Sequence, residues 1–129
     1  RLLTMLDEQE SNALFLTGDI HSEWAHTISH NDTQIGCEVV CTSITAPNVS
    51  ESTKLRPGHP LLRTAEGYMR SANPQLRHCA LDTHGYTVVD ITPEQVDTQW
   101  LRVHNILDPA SPVSPGAALT WRKGEGFGQ

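Results

Sequence analysis

The run Phe15-Leu16-Thr17-Gly18-Asp19-Ile20-His21-Ser22 decides how the chain is read. Leu14, Phe15 and Leu16 have the character of a buried strand, Gly18 permits a bend, and polar residues follow at once. On extended backbone, Asp19 and His21 point to the same side, about 7 Å apart. They would then project from the carboxyl end of a strand, where open α/β sheets bind their ligands. A carboxylate beside an imidazole suits a transition-metal ion or a two-metal cluster. The alternative is that Asp19 opens a turn and His21 is an ordinary polar loop residue.

Upstream, Leu2, Leu3, Met5 and Leu6 make a short helical stripe, followed by Asp7, Glu8 and Glu10. Acidic residues at a helix C-terminus oppose its dipole, so this helix is expected to depend on packing against the sheet. Asn12 is a terminator before a strand over 13–17. Helix, tight turn and central strand form an α/β pattern.

Downstream, residues 22–36 read as polar and irregular, and His26 and His30 as solvent-facing. Residues 37–45 are rich in Val, Ile and Thr and read as a second strand. If it lies beside the first, the corner from Thr45 to Asn48 borders the site. Residues 50–60 read as loop. Leu61, Leu62, Ala65, Tyr68 and Met69 then recur at helical spacing, between Pro60 and the stop at Asn73-Pro74. Three strand-like runs, 75–82, 84–91 and 96–106, are joined by short links and read as an antiparallel meander. Thr92-Pro93-Glu94-Gln95 is a corner, and His84-Gly85-Tyr86 a strand-entry turn. After Asp108 the Pro, Ser and Gly content predicts a mobile tail or a final edge segment, with Trp121-Arg122 as an ordered island.

With 129 residues, 37% of them hydrophobic and 19% charged, the chain has enough material for one modest core. A net charge of -6 argues against non-specific nucleic-acid or membrane-surface binding. No apolar run approaches the roughly 18 residues of a membrane span. Cys37 and Cys41, four apart on a strand, would have Cα atoms about 13 Å apart. A disulfide needs less than about 7 Å. Cys79 could pair across strands with one of them, but free thiols are the simpler expectation for all three.

The stretch Leu14-Phe15-Leu16-Thr17-Gly18-Asp19-Ile20-His21-Ser22-Glu23-Trp24-Ala25 resembles the last metal-binding motif of PhoD-like alkaline phosphatases, Gly-Asp-x-His-Ser-x-Trp. Similarity continues through Glu38–Asn48 and resumes at Asn73-Pro74-Gln75-Leu76, Asp82-Thr83-His84-Gly85-Tyr86 and Val89–Glu94, in the family's order. The resemblance implies an α/β (α+β) fold. It would be the C-terminal half of a metallophosphatase-type α/β/β/α sandwich, with a mixed sheet and a C-terminal antiparallel meander. It further implies that Asp19 and His21 are metal ligands, that iron and calcium are the metals, and that the reaction is hydrolysis of phosphate monoesters or diesters outside the cytoplasm. Residues 1–107 correspond to the C-terminal portion of the phosphatase domain and 108–129 to the tail.

Family members carry further ligands upstream that have no counterpart here, and two ligands do not complete even one four-coordinate site. The chain opens at Arg1, inside an apparent helix, so a C-terminal fragment is expected. Its partners would be a phosphate ester and the missing N-terminal half, and alone it would be inactive. A second reading is a non-catalytic α/β module that binds a partner or self-associates through an exposed sheet edge. A serine hydrolase using Ser22 ranks last, because the Gly-x-Ser-x-Gly elbow is absent.

Overall fold

The computed structural model describes residues 1–9 and 12–128. Glu10, expected near the end of the first helix, lies outside the described residues. The elements are α1 (Leu2–Glu8), β1 (Ala13–Thr17), β2 (Glu23–His30), β3 (Thr33–Val40), α2 (Val49–Ser52), α3 (Pro60–Ala72), β4 (Leu76–Ala80), β5 (Gly85–Ile91), β6 (Gln95–Val103), β7 (Val113–Arg122) and β8 (Gly126–Phe127). They form two four-stranded sheets, ordered β1-β3-β2-β4 and β5-β6-β7-β8. The first sheet is mixed, with β1 parallel to β3 and the other pairs antiparallel. The second is an antiparallel meander throughout. The α+β class with a mixed sheet and a C-terminal meander is therefore the observed one.

The two sheets pack face to face, because each strand alternates its side chains. From the first sheet Ala25, Cys37 and Val39 meet Val96, Trp100, Trp121 and Phe127 of the second. On the other face of the first sheet, Leu76, Cys79 and Leu81 join Leu62 of α3, with Trp24, Ala65 and Met69 packed against them. The order of layers is thus α3, first sheet, second sheet. Trp100 is fully buried between the sheets, and its Nε1 donates to the carbonyl of Val40 at 3.0 Å.

Several expectations are corrected. Residues 22–36 are not irregular: β2 and β3 form a hairpin across Asn31-Asp32, whose positive φ values of 47° and 64° fit the tight turn that right-twisted strands require. The second strand runs over Thr33–Val40 and stops before Cys41, not at residue 45. The segment expected as loop contains the short α2, and Leu61 and Tyr68 of α3 face outward, 63% and 72% exposed. The run 75–82 does not open the meander. Its strand β4 pairs with β2 in the first sheet, and Leu81 leads away to β5.

The stretch after Asp108 is a ten-residue strand, β7, flanked on both sides by β6 and β8. Pro115 and Gly116 are accommodated at a register shift opposite Gln99–Leu101, where a proline needs no ladder hydrogen bond. The apolar stripe of α1 is left largely uncovered, with Leu2, Leu3 and Met5 37% to 59% exposed. All three cysteines are free, and burial pushes the thiols of Cys37 and Cys79 up to about 12.

Truncating Trp100, which fills the space between the sheets and donates across it, removes a large buried volume. Trp100→Ala is expected to lower the unfolding free energy by about 3–5 kcal/mol, read by denaturant titration.

Candidate metal centre

Strand β1 ends at Thr17, whose carbonyl accepts from Cys41 N at 2.8 Å. The chain then leaves the sheet through a turn over Asp19–Ser22 before β2 begins at Glu23. Asp19 and His21 therefore stand at the carboxyl end of β1, as expected, but on a turn and not on extended backbone. His21 itself has a left-handed φ of 50°. The two-residue alternation of a strand does not place these side chains; the turn does.

Two sets of contacts hold the turn. On one side, Trp24 Nε1 donates to Ser22 Oγ at 2.6 Å, and Ser22 Oγ donates to the Ile20 carbonyl at 3.1 Å. Ser22 is buried and its hydroxyl is committed in both roles, so it is a brace and not a nucleophile. On the other side, His21 Nδ1 lies 3.2 Å from the carbonyl of Pro47. A carbonyl can only accept, so that bond puts the proton on Nδ1 and leaves the lone pair of the neutral ring on Nε2. A backbone carbonyl orienting one imidazole nitrogen while the other stays free is the common support of a metal-binding histidine. Asp19 is exposed, with its carboxylate open to a ligand.

A carboxylate and an imidazole suit iron or zinc, and the carboxylate alone suits calcium. The donor set is a partial fit. Among the described residues no three His, Cys, Asp or Glu side chains gather into a metal-sized group. His26 and His30 do not join His21. His26 stacks on Trp24 and lies 3.6 Å from Glu38, while His30 sits at the far end of the sheet opposite Thr33.

Directly behind the turn lies a buried charge. Glu23, the first residue of β2, is fully buried and faces the second sheet. Arg102 of β6 grips it in a bidentate pair, Nε to Oε1 at 2.9 Å and Nη2 to Oε2 at 2.7 Å. His78 of β4 adds a contact to Oε2 at 2.9 Å. Burial pushes the Glu23 carboxyl up, but hydrogen bonds from His78 and Arg102, with the Arg102 charge, outweigh it and bring it down to about 2. Gly116 of β7 leaves the room for this pair. A Cβ there would come within 2.7 Å of Arg102 Nε and 2.9 Å of the Trp100 carbonyl.

The corner from Thr45 to Asn48 does border the turn. It is held by Ser43, whose Oγ accepts from Ala46 N at 2.6 Å and Thr45 N at 3.2 Å. Asn48 caps α2: its Oδ1 accepts from Glu51 N at 3.1 Å, while Glu51 Oε2 accepts from Asn48 N at 3.0 Å. His84 sits against this corner and is more than a strand-entry residue.

A family model described as PhoD-like phosphatase matches residues 1–100. The chain belongs to the PhoD-like phosphatase family. A solved structure described as that of PhoD is similar to it with a TM-score of 0.75 and 21% identity, which speaks for the fold alone. The match covers 98% of this chain and 24% of the other, so this chain spans about a quarter of that protein's length. No curated protein matches it.

The residues that sequence reading missed are Glu23, His78 and Arg102. Glu23 lies inside the motif, but its partners stand 55 and 79 residues away, and no local signal links them. A carboxyl held down at about 2 stabilises the fold fully above its ordinary value of 4.5, and that contribution is lost as the pH falls from there toward about 2. The wild-type chain should lose on the order of 3 kcal/mol across this window. In Glu23→Gln the neutral-pH stability should fall and that part of the acid dependence should flatten, as read by urea unfolding at a series of pH values.

Proposed function

We propose that this chain supplies the Gly18-Asp19-Ile20-His21 portion of the metal site of a PhoD-like phosphatase that hydrolyses phosphate monoesters or diesters. The observation that carries this reading is the pairing of an exposed Asp19 with a His21 whose Nδ1 is tied to Pro47, both on one braced turn at a strand's carboxyl end. Membership of the family supports it.

In this reading the Asp19 carboxylate and the His21 Nε2 lone pair are donors to iron, with calcium as the companion ion of the family's site. When bound, such ions polarise phosphoryl oxygens and stabilise charge during in-line displacement. The chain's own residues contribute placement. Ser22 and Trp24 fix the turn, and the Pro47 carbonyl holds the imidazole in the tautomer that leaves Nε2 unprotonated. Placement of this kind is prepaid in the fold, which is what makes a fixed donor more effective than a mobile one.

The remaining donors belong to further phosphatase sequence. The outer edge of β1, which has no neighbouring strand among the described residues, and the exposed Leu2, Leu3, Met5 and Leu16 are consistent with such sequence packing there. The reading places the parent enzyme outside the cytoplasm, as the family resemblance implies. No helix among the described residues is long and apolar enough to cross a membrane.

Elemental mass spectrometry of the purified chain, after equilibration with iron and calcium, tests the donor assignment. Metal retained by the wild type should be lost in an Asp19→Ala, His21→Ala double variant. Equal retention in both proteins would defeat the assignment. The isolated chain should turn over a chromogenic phosphate ester negligibly, and robust hydrolysis by the wild-type chain would contradict the division of the site proposed here.

A further inference from the structure

His84 stands just before β5, 63 residues from His21, yet it closes the corner against which His21 is held. Its Nδ1 lies 3.1 Å from the carbonyl of Ser43, an acceptor that also receives Gly85 N at 3.1 Å. Its Nε2 lies 3.1 Å from Glu51 Oε2 and 3.2 Å from Asn48 Nδ2. The charged ring donates to Ser43 and Glu51. The neutral ring donates to Ser43 and accepts from Asn48. In both states His84 bridges the start of the corner, at Ser43, to its end, at the α2 cap. Thr42 Oγ1 adds a second tie to the same segment by donating to the Thr83 carbonyl at 2.7 Å. Asn48 is buried and takes part in the cap, so the peptide at Pro47 is clamped from both ends.

We propose that His84 and Glu51 are positioning residues for His21: they fix the 43–51 corner so that the Pro47 carbonyl accepts from His21 Nδ1 and keeps Nε2 free as a donor. The inference rests on the reading of His21 as a metal ligand, but it concerns which tautomer the fold selects. A free neutral histidine ring exchanges between tautomers and favours the one protonated at Nε2, so a main-chain carbonyl selects the Nδ1-protonated form only if it stays within hydrogen-bond reach. A corner of loop residues keeps that reach when its ends are tied. His84 ties it from the second sheet, so the imidazole of a residue after β1 is oriented through the strand-entry residue of β5.

The test is nitrogen-15 NMR of the histidine rings in the full chain at alkaline pH, comparing the wild type with His84→Ala, His84→Gln and Glu51→Ala. Glu51 is exposed, so Glu51→Ala retains a folded chain if His84→Ala does not. The wild-type His21 ring should give a protonated Nδ1 and an unprotonated Nε2. Both alanine variants should move it toward the averaged signals of a free ring while the sheet amides keep their shifts. His84→Gln, which preserves a donor toward the corner, should restore part of the wild-type pattern. An unchanged His21 tautomer in a folded His84→Ala or Glu51→Ala protein, or a protonated Nε2 in the wild type, would overturn the proposal.

A manganese titration in the same samples separates the two readings. Broadening of the Asp19 and His21 signals, with a Kd raised about 10-fold or more in the alanine variants, supports the positioning role toward a metal. Absence of broadening in the wild type defeats the ligand reading, while the tautomer comparison still decides whether the corner orients the ring.

Discussion

Glu23 is a carboxylate with no access to water, and the rest of the structure is arranged around keeping it charged. Removing a carboxylate from water carries a penalty of several kcal/mol, and only close, well-directed partners offset it. The bidentate grip of Arg102 and the contact from His78 supply them, one from each sheet. Neither sheet can slide on the other without exposing an unpaired charge to the apolar layer made by Ala25, Val39, Trp100 and Trp121. Breaking such a pair by deleting one partner typically costs about 3–5 kcal/mol, a large part of the stability of a domain this size. Gly116 is part of the same constraint, since the guanidinium passes over the space a side chain there would occupy.

The clamp matters to the proposed metal site because of its position in the chain. Glu23 follows His21 by two residues, so the strand end that carries the turn is also the anchor of the sheet-to-sheet contact. The turn is then braced sideways by Trp24 and Ser22 and capped by the Pro47 carbonyl. Rigidity in the layers beneath is passed to two side chains that remain accessible at the surface. In the proposed reading, an exposed Asp19 and a His21 oriented by Pro47 would serve a site completed by other parts of a larger phosphatase.

Much of this was legible in local pattern. The apolar run into Gly18-Asp19-Ile20-His21 marked β1 and the turn that follows it, and the spacing of Leu62, Ala65 and Met69 between Pro60 and Asn73 marked α3. What escaped was set by distant contacts. Strand β2 carries Glu23, His26 and His30; Arg102 receives Glu23, Trp24 and Glu38 receive His26, and His30 lies against Thr4. Strand β7 contains Pro115 and Gly116, which locally forbid a strand, but the register shift opposite Trp100 absorbs both. Strand β4 has the composition of a meander strand, and its assignment to the first sheet follows from α3 carrying the chain back beside β2. His84 read as a turn residue because its partners, Ser43 and Glu51, are 41 and 33 residues away.

The central claim is that the turn after β1 presents Asp19 and His21 as donors to one metal. The most direct measurement is anomalous diffraction at the iron edge from crystals of this chain equilibrated with iron. The account predicts a peak bonded to His21 Nε2 and to the Asp19 carboxylate, with Nδ1 still held by Pro47. A peak bonded through Nδ1, or iron found only at other surface groups, would contradict it.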